Sequence, residues 1–148
     1  MARLVVILLL TILSVPDTYS QYYTNQNKKW AFGAYGGLDF SSGVPVPFHT
    51  SIITLEGSAS VSNASGSLLF YTDGKLVYNR ADAVMPSGNP IVPFLTLSTA
   101  QAALIVPVIG NQNQFYLFSL ENVTGTGTPH ASHLAFSIID MTLVSCHA

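Results

Sequence analysis

Beyond the first twenty residues, apolar side chains come only in short runs, and glycine, asparagine, aspartate and proline keep interrupting them. No stretch repeats at the helical period of 3.6 residues. Runs of this length bounded by turn formers build strands, so the chain is expected to be all-β, made of antiparallel meanders. The clearest unit runs from Ile52 to Asn79. Thr54–Ser62 alternates, with Leu55, Gly57, Ala59 and Val61 on one face and Thr54, Glu56, Ser58, Ser60 and Ser62 on the other. Asn63-Ala64-Ser65-Gly66 reads as a turn, Ser67–Thr72 as an apolar strand, Asp73-Gly74 as a two-residue hairpin and Lys75–Asn79 as the returning strand.

The same reading places two short extended pieces, Trp30-Ala31-Phe32 and Leu38-Asp39-Phe40, around a tight turn at Gly33–Gly37. Ser41–Phe48 carries Pro45 and Pro47 and is expected to be a loop, because proline cannot donate to a sheet ladder. A second loop is expected at Met85–Pro90. Ala102–Val108 reads as a buried-type apolar run, Gly110–Asn113 as a turn and Gln114–Leu120 as a further strand. Val123–Pro129 then separates it from Leu134–Met141. The order strand, Gly/Asn turn, aromatic strand occurs at Ser60–Tyr71 and again at Ile105–Phe118. Phe70 aligns with Tyr116 at an offset of about 46 residues, within the range of propeller repeats.

The N-terminus has a different character. Arg3 precedes the uncharged apolar run Leu4–Val15, Pro16 breaks it, and Thr18 and Ser20 put small residues at −3 and −1 of a cut before Gln21. That is the pattern of a cleaved export signal over residues 1–20. The run of twelve residues is short of the roughly 20 that a spanning helix needs, so no stable membrane span is expected after cleavage. The remaining 148 − 20 = 128 residues, 21–148, suit one β-rich domain in an extracytoplasmic setting, whether secreted, periplasmic or at the cell surface. Cys146 is the single cysteine, so packing and sheet hydrogen bonds must hold the fold without an internal disulfide.

Charged residues make up 8% of the chain and the formal net charge is −2. Nucleic-acid binding needs clustered lysine and arginine, and is excluded as a function class. No catalytic, cofactor or metal set is assigned. No Gly-x-Ser-x-Gly elbow stands between a strand and a helix. His130 and His133, with Cys146 and His147, have zinc-ligand chemistry, but on a loop or strand their spacing does not put both rings on one side, and a solvated loop explains them better. Asp39, Glu56, Asp73, Asp82, Glu121 and Asp140 are too dispersed to pair by sequence. Asp73 reads as a turn former, and Glu56 as a strand residue on a polar face that binds a backbone N–H.

The aromatic residues Tyr22, Tyr23, Trp30, Phe32 and Tyr35 crowd the start of the domain. They can stack sugar rings or form an adhesive patch, whereas Trp30 and Phe32 can equally fill a core between sheets. The candidate interaction surface is therefore Trp30, Tyr35 and His49, on loops around Gly33–Gly37 or Phe48–Ser51, with a protein or glycan partner.

Several motifs together carry a family resemblance. They are Lys29-Trp30-Ala31-Phe32-Gly33, Gly37-Leu38-Asp39-Phe40, Leu55-Glu56-Gly57-Ser58-Ala59, Leu68-Leu69-Phe70-Tyr71-Thr72-Asp73-Gly74, Met85-Pro86-Ser87-Gly88 and Ala100-Gln101-Ala102-Ala103-Leu104-Ile105-Val106-Pro107. In these the chain resembles the N-terminal propeller-like region of gliding-motility-associated, type IX-secreted bacterial surface proteins. The resemblance spans nearly all of Lys29 to Leu143. It implies incomplete β-propeller-like blades, with a small β-sandwich as the alternative, and a non-catalytic, adhesin-type role. It also implies a truncated chain: the sequence stops at Val144–Ala148, where the family continues into further blades and a sorting domain. A rival from another class is a fragment of a secreted carbohydrate-active or peptide-hydrolysing enzyme. An array of so few blades leaves strand edges and apolar faces open, so association and poor solubility are expected.

Overall fold

The computed structural model describes residues 25–91, 100–120 and 134–143, and its architecture is all-β. Among the described residues, a 3-10 turn at Asn25–Asn27 is followed by nine strands: β1 (Lys29–Phe32), β2 (Ala34–Asp39), β3 (Val46–Ile53), β4 (Ala59–Ser62), β5 (Leu68–Thr72), β6 (Val77–Asn79), β7 (Ala103–Pro107), β8 (Gln114–Leu120) and β9 (Leu134–Asp140). They form three antiparallel sheets of three strands, in the orders β1-β2-β3, β4-β5-β6 and β7-β8-β9, so every strand pairs only with its neighbours in sequence. The sheets do not close into a barrel. This arrangement fits incomplete blades or a small sandwich.

The middle sheet explains the run Leu68-Leu69-Phe70-Tyr71, which does not alternate in polarity. It is covered on both sides, and such strands are apolar at both parities. Towards the third sheet it sends Val61, Phe70 and Val77, which join Ala103, Phe115, Leu117 and Ile139 in one core. Phe70 meets Phe115 edge-to-face with ring centroids 5.4 Å apart. Towards the first sheet it sends Leu68, Tyr71 and Tyr78, which pack with Ala31 and Ile52. Tyr71 is fully buried, stacks on Tyr78 at 5.1 Å, donates to Asp82 Oδ1 at 2.7 Å and accepts from the Ser51 amide at 2.9 Å. It thus ties the middle sheet to β3 and to the turn after β6.

Serine hydroxyls join the first two sheets where their leading strands meet. Ser60 Oγ donates to the Lys29 carbonyl at 2.8 Å and Ser58 Oγ to the Ala31 carbonyl at 2.9 Å. The leading strands β1, β4 and β7 converge on a common cleft of about 410 Å³, bordered by Trp30, Phe32, Ser58, Ser60, Leu104 and Ile105.

Several boundaries differ from the sequence reading. Thr54–Ser62 is not one alternating strand: β3 ends at Ile53, β4 begins at Ala59, and Thr54 Oγ1 bonds the Gly57 carbonyl at 3.0 Å to shape the connection. Glu56 therefore lies in this connection, exposed, rather than on a strand face. Ser41–Phe48 is a loop only in its first part, because β3 starts at Val46 and runs through Pro47. As the outer strand of its sheet, β3 has a side that needs no amide donors, which is where proline is tolerated. The turn between β1 and β2 is confined to Gly33, and Gly36 and Gly37 lie within β2. Asp73-Gly74 is not a two-residue hairpin. Thr72 pairs with Val77, so the connection has four residues, with Asp73 Oδ1 accepting from the Lys75 and Leu76 amides. Ala102–Val108 is not uniformly buried, since Leu104 and Val106 point outward.

Candidate functional site

The first sheet has one covered face and one open face. Ala31, Gly37 and Phe48 lie in register across β1, β2 and β3 and pack inward. The opposite parity brings Trp30, Leu38 and Pro47 into one row and Phe32, Gly36 and His49 into the next. Trp30 is 51% exposed and Phe32 40%, so neither fills the core, and the core-filling reading of these two residues is corrected.

A register shift between Ala34 and Gly36 decides where Tyr35 goes. The irregularity leaves Tyr35 at φ 62°, an uncommon value for a side-chain-bearing residue. Its ring lies on His49, with centroids 5.7 Å apart and planes 9° from parallel. Trp30 leans on Phe40 at 4.9 Å, and its indole N–H donates to the Asn27 carbonyl at 2.9 Å. That bond fixes the ring, which stays half exposed. Trp30 and His49 stand two residues apart along the strands and two strands apart across them, roughly 12 Å by sheet geometry. The structure therefore gathers Trp30, Tyr35 and His49 on one surface, but on strands rather than on the loops expected. Phe32, Leu38 and Phe40 belong to the same surface. Single-strand alternation, Trp30 and Phe32 against Ala31, is the signal that could have marked it.

This surface is nearly free of charge. Lys29 and Asp39 pair across β1 and β2 at the end of the sheet, with Lys29 Nζ 5.6 Å from the centre of the Phe48 ring. The Lys29 hydrogen bond, assisted by the Ser41 hydroxyl and amide, holds the Asp39 carboxyl down at about 2. Both partners are thereby committed to each other. What remains is a platform of rings around a glycine, suited to stacking and apolar contact rather than proton transfer.

Among the described residues, no three of His, Cys, Asp and Glu come together as metal ligands. His130, His133, Cys146, His147 and the expected leader lie outside the described residues. Among the described residues no helix is long and apolar enough to cross a membrane. No protein-family model, curated protein or solved structure matches the chain.

Proposed function

We propose that this chain is a non-catalytic interaction module of an extracytoplasmic bacterial surface protein, and that it binds through the open face of its first sheet. The exposed ring platform of Trp30, Phe32, Tyr35 and His49 supports this reading, with Tyr35 held in an uncommon backbone conformation and stacked on His49. Exposed aromatic clusters on a rigid sheet are typical of binding hot spots, and strained backbone gathers where a surface is used. A neutral surface of exposed rings accepts the apolar face of a sugar ring or an uncharged protein patch. The export pattern at residues 1–20 and the motif resemblance support the extracytoplasmic and adhesin-type parts of the reading.

The test is binding of the purified chain to immobilised glycans and to intact bacterial surfaces. Trp30→Ala and Tyr35→Ala are each expected to weaken binding about tenfold or more, the loss of one central aromatic contact. Both rings are exposed, so circular dichroism should show the sheet content kept. Binding that ignores both substitutions would remove this face from consideration.

A further inference from the structure

The third sheet is apolar on both sides, although the described residues cover only one of them. Ala103, Phe115, Leu117 and Ile139 face the middle sheet. The outward parity carries Leu104, Phe118 and Phe136 in one cross-strand row and Val106, Tyr116 and Ile138 in the next, with Leu134 beyond them. Leu134 is 68% exposed, Phe136 65%, Ile138 56%, Leu104 51% and Val106 37%. Phe118 lies within ring contact of both Tyr116 and Phe136, at 6.3 Å from each, so the patch is continuous. Its polar limit is the pair Gln114 and Asp140, joined at 2.8 Å.

An aromatic ring presents roughly 150–250 Å² and Leu, Ile or Val somewhat less, which makes this patch about 500 Å² at the exposures above. That is in the upper half of what a monomer usually shows to water. Pairing it with an identical patch would bury roughly 1,000 Å², about what a biological interface has to clear. An apolar centre with a polar limit is also the usual anatomy of an interface.

We infer that a second copy of this chain covers the third sheet, outer face to outer face about a twofold axis. Three features favour a copy and this closed pairing. The rows hold no charged residue that a partner would have to neutralise. Phe70 and Phe115 show within the molecule that two such sheets mate through their rings. A twofold running across the strands sends the two Asp140 carboxylates to opposite ends, where both stay in water. Closed twofold pairs are the commonest assemblies, and this one needs no complementarity beyond the patch itself. It leaves the first sheet of each copy uncovered, so a pair presents two ring platforms and gains avidity on a repetitive surface.

Sedimentation velocity of the purified chain tests this. The wild-type chain is expected to be a dimer at micromolar concentration. Phe136→Glu should raise the dissociation constant about 100-fold or more, because it would bury an uncompensated carboxylate. Phe136→Ser, which removes the ring without adding charge, should raise it about tenfold, and covers the case in which the glutamate variant does not fold. Tyr35→Ala, outside the cleft that Leu104 shares with Trp30 and Phe32, should leave the dimer intact. A wild-type chain that stays monomeric, a dimer indifferent to both Phe136 variants, one lost with Tyr35→Ala, or open-ended oligomers would each overturn the inference.

Discussion

At the scale of single residues, Tyr71 shows how much one polar atom can organise. Its ring is fully buried, and its hydroxyl is the only part that meets polar partners, Asp82 and the Ser51 amide. Burial, and after it the hydrogen bond to Asp82, pushes the phenol far above its ordinary range, so it stays protonated and donating across any pH at which the fold survives. Tyr71→Phe keeps the ring and leaves both partners short of a bond. We expect a loss of about 1–2 kcal/mol, read as a lower urea midpoint with an unchanged slope. The sequence shows that Tyr71 is apolar and on a strand, but not that it is a tie. Ser51 and Asp82 reach it from other parts of the chain, and no local pattern marks a contact made across sheets. The same limit applies to Trp30. Its neighbours in sequence say that it alternates with Ala31, and only the stacking order of the sheets says which of the two faces water.

At the scale of elements, strands were legible where turn chemistry bounded them. Gln114–Leu120 and the start of β9 at Leu134 agree with the sequence reading, and so does the meander from β4 to β6. The errors fall where a tertiary setting relaxes a local rule. Proline is allowed in β3 because it is the outer strand of its sheet, and the alternation read over Thr54–Ser62 is interrupted by the connection that the Thr54–Gly57 bond shapes. The connection from β5 to β6 depends on Gly74 for two reasons. Its φ is +91°, and an added Cβ would stand 2.7 Å from the Ala102 carbonyl oxygen. Gly43, at φ +81°, has open space around it. Gly74→Ala should therefore cost about 2 kcal/mol or more, and Gly43→Ala about 1 kcal/mol, the backbone term alone. Thermal melts of the two variants side by side check the difference, and equal losses would show that the Ala102 contact yields freely.

At the scale of the whole molecule, no strand ladder joins the three sheets among the described residues, and Phe115 lies in the contact between the second and third. Phe115→Ala removes a fully buried ring and should cost about 3–5 kcal/mol. Trp30 is the only tryptophan and belongs to the first sheet. In the wild-type chain its fluorescence and the far-ultraviolet dichroism should report one denaturation curve. In the variant the dichroism should begin to fall first, as the third sheet separates while the other two hold. Coincident curves in the variant would mean that the three sheets stand or fall together. Because each strand finds its partners next door in sequence, no early segment has to wait for a late one. A polypeptide emerging from the ribosome can lay down one sheet, then press the next against it, like cards dealt onto a pile. Growth of that kind leaves each new sheet bare on its outer side until something is laid over it, and on the third sheet that side is Leu134, Phe136 and Ile138.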